Sequence, residues 1–416
     1  MLESSPWAQP PAAGPRRRVA VTGLGVVSCC GIGKEAFFDG LFALAPSGER
    51  RVLDFDPAQW FDVKEARRTD RFAQFSLAAG ALALEDAGPL GSDPDRIGVI
   101  FGTGVGGLHT LQEQISQLIA KGPRRVSPFL VPMMMGNAGA AAISMRFGLR
   151  GPCQTVVTAC ASATHSIGDA FRLVATGACD AVVAGGAEAA MELVGEDPAI
   201  GIVAFQQMTA LSTSGISRPF DARRDGFVIA EGGGALILED LEHALARGAH
   251  IYAELLGAAS TADAHHITAP APHGAGARSC MELALADAGV PASQVTHING
   301  HGTSTPLNDL AESQAIAKVF GPESPPVTSI KGVTGHSLGA AGALEAVAVA
   351  LTIERGVIPP TAGLEQLDPE IHLDVVMGGP RDFVPGPVLS NSFGFGGHNG
   401  CLVLAPLGAA GRDGEH

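Results

Sequence analysis

Short β-branched runs and stretches of helical period alternate along almost the whole chain. Residues 18–27 form an apolar run interrupted by Gly23 and Gly25 and read as a buried strand. Residues 70–87 place Phe72, Phe75, Leu77, Leu82 and Leu84 at helical spacing. A strand at 97–100 then opens into the glycine-rich loop 101–107. The segment 154–158 reads as a strand leading into a helix that begins near Cys160. Strands follow at 180–186 and 233–239, and a helix over 241–247 is ended by Gly248.

After about residue 250 the pattern begins again. Strands are expected at 251–256, 295–298, 327–330, 388–391 and 401–404, with helices at 277–288, 309–320 and 337–355. Alternation with short connections predicts an α/β fold of mostly parallel sheets covered by helices. Two successive passes predict a duplicated unit, with halves at 18–250 and 251–408. A Pro-rich stretch ending in Arg16-Arg17-Arg18 predicts a disordered tail over 1–17, and 409–416 reads as a second tail.

Composition narrows the class. The 416 residues include 55 glycines and only 5% aromatics, which suits close packing of backbone layers. The longest apolar candidate for a membrane span, 131–145, is broken by Pro132, Gly136 and Gly139. The first residues lack the order of a secretory signal, so a cytoplasmic protein without a membrane role is expected. A net charge of -15 argues against nucleic acid, whose phosphates need a basic surface. Cysteines at 29, 30, 153, 160, 179, 280 and 401 show no CxxC pairing and no His at zinc spacing, so no metal site is predicted. Most of them should pack as small apolar residues.

Cys160 differs because a buried strand stops just before it and a helix starts just after it, with Ile167, Phe171 and Val174 on its apolar face. A thiol at a helix N-terminus meets unpaired N–H groups and a dipole that favour thiolate and can bind an oxyanion. Taken alone, a buried structural cysteine is the better explanation of Cys160. His301, between Gly300 and Gly302, and His336, in Gly335-His336-Ser337, also follow strands. Three such residues at the C-terminal ends of strands mark the place where α/β folds bind ligands. In 391–399, Phe393 and Phe395 alternate with glycines, which suits a loop able to close an apolar channel or an ordinary turn with aromatic plugs.

The Cys160 segment, Gly300-His301-Gly302-Thr303-Ser304-Thr305-Pro306, the run 331–346 and the loop 391–397 together resemble the β-ketoacyl synthases, from about Val19 to Leu404. Arg218-Pro219-Phe220-Asp221 and the run 223–228 belong to the same resemblance. It implies a thiolase-like fold, two pseudo-duplicated halves in five-layered α/β/α/β/α packing, usually dimeric. It further implies that Cys160 is acylated, that His301 and His336 bind the malonyl thioester carbonyl, and that Lys331 and Glu345 support His336. The N–H groups of Cys160 and Phe395 would form an oxyanion hole, with Phe395 as gate. Thr303 and Thr305 would contact a phosphopantetheine arm, with Phe393, Val105 and Phe205 nearby along the substrate path. Lys64, Arg67, Arg68, Arg124 and Arg125 would dock an acidic acyl carrier protein. The resemblance implies no required cofactor and leaves open a structural monovalent cation near Asn299, Glu345, Ser390 and Asn391.

The chain departs from that pattern at His398, where many relatives have Thr, and at Ala230. A thiolase would use a second cysteine, for which Cys401 is the candidate, but the motif around His301 points away from it. A non-catalytic chain-length subunit would lack the nucleophile. Fatty acid and type II polyketide elongation share the motifs, as do a homodimer and a heterodimer with a chain-length-factor homologue.

Overall fold

The computed structural model describes residues 16–409. Most of the expected tail at 1–17 and the C-terminal one therefore lie outside the described residues. Arg17 donates its backbone N–H to Ala175 at 2.9 Å, and Arg16 pairs with Asp287 at 2.6 Å.

An eleven-stranded sheet runs through the molecule. The first half contributes β1 (Val19–Ser28), β2 (Ile97–Gly102), β3 (Cys153–Val156), β4 (Ala181–Glu188) and β5 (Gly232–Asp240). The second contributes β6 (Ala253–Ala262), β7 (His297–Asn299), β8 (Val327–Thr328), β9 (Val388–Gly394) and β10 (His398–Ala405). The two-residue strand Gly31–Ile32 pairs with β1. From edge to edge the order is β3-β2-β4-β5-β1-β6-β10-β9-β7-β8. Counted outward from the centre, each half therefore places its own strands in the order first, fifth, fourth, second, third. The halves join where β1 pairs with β6 through Val19–Leu255, Ala20–Glu254 and Val21–Ala253.

The expectation of mostly parallel strands fails near the centre. β5 runs antiparallel to both β1 and β4, and β10 to both β6 and β9. Only the outer pairs β2–β3, β2–β4, β7–β8 and β7–β9 are parallel. The cause is local for β9 and β10: only the turn Phe395–Gly397 separates them, too short for a parallel crossover.

Helices complete five layers. α1 (Arg71–Ala87) covers the outer face of the first half. Between the two halves lie α3 (Ser162–Ala175) and α7 (Ala341–Arg355), with α2 (Leu108–Lys121) placed earlier in the chain and nearer the surface. α5 (Ala275–Ala288) and α6 (Pro306–Phe320) cover the second half, and α4 (Ile200–Gln207) borders the cavity described below. Every residue of α7 from Ala341 to Ile353 is buried. A helix buried on all sides is stable only between layers, and the small residues of this one let the strands of both halves approach it. The same placement carries Glu345 into the core.

Candidate active site

β3 ends and the chain turns through Ala159 into Cys160 and α3. Ala159 has φ 50°, a left-handed conformation that an L side chain adopts only under constraint. The turn leaves the thiol at the mouth of α3, almost wholly buried at 8% exposure. Gly394 lets β9 come close: a Cβ there would lie 3.0 Å from the backbone N of Cys160. The backbone N–H groups of Phe395 and Cys160 both act on the sulfur and favour its anion.

Burial nonetheless outweighs those donors and the nearby Lys331, and pushes the Cys160 thiol up to about 11. The helix N-terminus was expected to favour thiolate; the enclosed site reverses that balance, and at neutral pH the sulfur keeps its proton. His336 Nε2 stands 3.0 Å from Sγ, placed to receive it. Burial and Lys331 hold both His336 and His301 well below the usual imidazole range, so both rings are neutral. The two rings meet edge to face with centroids 5.4 Å apart.

Lys331 is 1% exposed and orders this pair. Its Nζ donates to the His301 carbonyl at 2.7 Å, sits 3.3 Å from His301 Nδ1 and forms a buried ion pair with Glu345. A lysine proton on Nδ1 leaves the His301 Nε2 to carry the ring's own hydrogen. The Glu345 carboxyl is itself pushed up to about 7 by burial, against the pull of Lys331. Glu312, on α6, accepts from the backbone N–H groups of His301 at 2.7 Å and Gly302 at 2.8 Å.

A cavity of about 490 Å³ joins these groups. Val105, Phe205, Thr303, Thr305, Phe393 and Phe395 all line it. Thr303 and Thr305 join their hydroxyls at 2.9 Å. Phe205 packs edge to face on Phe227 at 5.3 Å and lies 6.5 Å from Phe395. Phe393 meets the His301 ring at 5.9 Å. Lys64, Arg67, Arg68, Arg124 and Arg125 lie elsewhere, exposed on the surface. Arg68 stacks over Phe129 at 4.2 Å, which draws the segment 64–68 towards 124–125.

Two candidates are moved away from the chemistry. Cys401 donates to Asn391 Oδ1 at 3.2 Å in the core of the second half, and its thiol is pushed far up by burial. It does not line the cavity, so the thiolase arrangement of two cysteines is absent. His398 lies against Gly396, where a Cβ would come within 3.1 Å of its ring, and it is not among the lining residues. Of the residues expected around a cation, Asn299 bonds Ser390 at 3.3 Å, whereas Asn391 bonds Glu312 at 3.4 Å and Glu345 pairs with Lys331.

Other residues of the site carried no signal in the sequence. His165 bonds Thr158 Oγ1 at 2.8 Å and the Asn399 carbonyl at 2.9 Å. The Asp263 carboxylate accepts from Asn399 Nδ2 at 2.8 Å, and its backbone N–H donates to the Gly397 carbonyl at 2.8 Å. Glu188 and Glu312 were likewise unforeseen. Their partners are mainly backbone N–H groups, which no residue pattern reveals.

A duplicated five-layer α/β fold that brings one cysteine and two histidines together at a buried apolar cavity defines a thiolase-like condensing architecture. Family comparison agrees: residues 47–244 match the beta-ketoacyl synthase N-terminal domain, and residues 252–365 match the C-terminal domain. The chain belongs to the β-ketoacyl synthase family. It is 44% identical to the 3-oxoacyl-[acyl-carrier-protein] synthase 2 of Synechocystis sp., over 94% of this chain and 98% of that one. It is 41% identical to the protein of that name from Staphylococcus aureus strain N315, over 93% and 98%. Among solved structures, the ishigamide ketosynthase/chain length factor aligns with a TM-score of 0.87 and 36% identity, over 94% of this chain and all of that one (100%). A type II polyketide ketosynthase bound to a hexaketide, in complex with its acyl-carrier protein, aligns at 0.84 with 32% identity, over 94% and 100%.

Proposed function

We propose that this protein is a 3-oxoacyl-[acyl carrier protein] synthase whose acyl carrier is Cys160. The observation that carries the reading is the 3.0 Å approach of His336 Nε2 to Cys160 Sγ, with His301 fixed beside it by Lys331. In the first step the Cys160 sulfur attacks the acyl thioester carbonyl as its proton passes to His336. The N–H groups of Cys160 and Phe395 receive the developing oxyanion. The carrier thiolate leaves and takes the proton back, so the enzyme holds a new thioester.

In the second step a malonyl thioester enters along Thr303 and Thr305. Its carbonyl oxygen meets Nε2–H of His301 and, once the ring proton of His336 has moved from Nδ1 to Nε2, Nε2–H of His336. Breaking the carboxylate C–C bond releases CO2 and leaves an enolate, whose charge those two donors stabilise. The enolate carbon attacks the acyl–Cys160 carbonyl, a C–C bond forms, and the Cys160 thiolate departs and is reprotonated. Splitting transfer from condensation gives ping-pong kinetics. No cofactor enters either step.

Exposed Lys64, Arg67, Arg68, Arg124 and Arg125 form no ion pairs among the described residues and are free to meet an acidic carrier protein. At the sheet edge, β3 is partly exposed beside exposed Met145, Phe147 and Val157, which supports a second subunit there, a copy of this chain or a chain-length-factor homologue. Division into halves at 18–250 and 251–408 and a cytoplasmic location belong to the same proposal; among the described residues no helix is long and apolar enough to cross a membrane.

Intact-protein mass after incubation with a panel of acyl-carrier thioesters tests the reading. Wild type should gain the acyl mass and Cys160→Ala should not. The preferred chain separates fatty acid from polyketide elongation. An unmodified wild type, alone and with candidate partner subunits, would overturn the assignment.

A further inference from the structure

The first half contains a buried acid that the mechanism does not use. Glu188 ends β4, is wholly buried and forms no ion pair among the described residues. Its Oε2 accepts from the backbone N–H of Gly104 at 2.6 Å and of Gly339 at 3.1 Å. Its Oε1 accepts from Thr103 Oγ1 at 3.1 Å and from the N–H of Val105 at 3.4 Å. All four partners donate, a seat made for an acceptor-only carboxylate.

The two segments it joins touch each other. A Cβ on Gly339 would lie 2.2 Å from the Gly104 nitrogen, and one on Gly104 would lie 2.6 Å from Glu188 Oε2. One segment carries Val105 and the other Leu338, and both side chains line the cavity that holds Cys160. The second half offers an independent parallel. There the loop after β7 is braced by Glu312, whose carboxylate takes the N–H groups of His301 and Gly302. The chain thus uses a buried carboxylate twice to fix the loop after the second strand of a half. In one case the braced residue is a catalytic histidine, in the other a wall of the acyl site.

We infer that Glu188 is a positioning residue that sets the Val105–Leu338 wall of the cavity and thereby governs which acyl chains are accepted on Cys160. The inference rests on the reading of Cys160 as the acylated nucleophile. Glu188 touches no substrate; it acts through the two segments that it ties together.

The test is the rate of Cys160 acylation, followed by intact mass, with acetyl- and octanoyl-carrier thioesters. Glu188→Gln places an NH2 group among N–H donors and breaks part of the seat. Gly104→Ala keeps the carboxylate but drives it out of position. In both variants the ratio of octanoyl to acetyl kcat/KM should fall by on the order of tenfold or more, since displacing a wall by about 1 Å can cost that much. A merely structural role would lower both rates together and leave the ratio alone. Should Glu188→Gln fail to fold, Gly104→Ala decides. An unchanged ratio, or loss of the fold in both variants, overturns the inference. Wild type that takes up neither acyl group would instead overturn the nucleophile reading, and this inference with it.

Discussion

In the first half, the third strand turns through Ala159, at φ 50°, into Cys160 and α3. In the second half, β8 is followed by the short helix Lys331–Thr334 and then by a turn through Leu338, at φ 47°, into Gly339 and α7. Each left-handed residue opens a short 3-10 turn, Ala159–Ala161 or Leu338–Ala340, which runs directly into the helix. On that shared scaffold the halves hold different chemistry. The first places its nucleophile on the turn. The second places a glycine there and sets His336 just ahead of it, with His301 on the neighbouring loop. On the proposed mechanism, covalent capture belongs to the first half, and stabilisation of the enolate to the second.

Removing the nucleophile should break this division most visibly. Cys160→Ala should abolish the acyl adduct and slow condensation by roughly 10³-fold or more, while CO2 release from malonyl carrier, the task of the second half, continues. Parallel loss of both activities would show that the division is wrong. Lys331→Ala comes next. It strands Glu345 in the core, and loss of one partner of a buried pair costs about 3–5 kcal/mol, to be read from the denaturant midpoint. His301→Ala should slow malonyl decarboxylation by a transition-state loss of roughly 2.7–4 kcal/mol, measured as CO2 release.

A smaller effect separates the two second strands. β2 contains no titratable residue, whereas β7 buries His297 with neither ring nitrogen bonded. Burial pushes that imidazole down to about 3, below the ordinary value of roughly 6.5 in the unfolded chain. As pH falls below about 6.5 the unfolded chain therefore takes up a proton that the fold refuses, and stability is lost down to about 3. His297→Val should flatten the fall of Tm between about pH 6 and 4 relative to wild type, in a series of thermal melts. The smallest change expected is in docking: Arg67→Glu with Arg68→Glu should raise KM for carrier-bound substrate by about tenfold and leave a small thioester analogue unaffected.

Much of this was legible because the chemistry follows strand ends. Buried strands are apolar runs, and Cys160, His301 and His336 each come soon after one. Strand direction was not legible at the centre, since an apolar run reads the same whether its neighbour is parallel or antiparallel. The state of the thiol was misjudged for a physical reason: a helix N-terminus is visible in sequence, but the burial that opposes it depends on β9, α7 and the loop at Phe395. Glu188 and Glu312 were hidden because their partners are backbone groups. Glu188 reaches Gly339 across the boundary between halves, a contact that no local pattern encodes.

The paired left-handed residues separate backbone strain from chemistry. Backbone strain of about 1–3 kcal/mol is usually explained by what a site does. Here Leu338 bears it with no nucleophile to present, in the same place in the turn as Ala159. The strain therefore belongs to the turn that both halves share, between a loop and the helix buried at the centre, and not to the thiol that one of them carries.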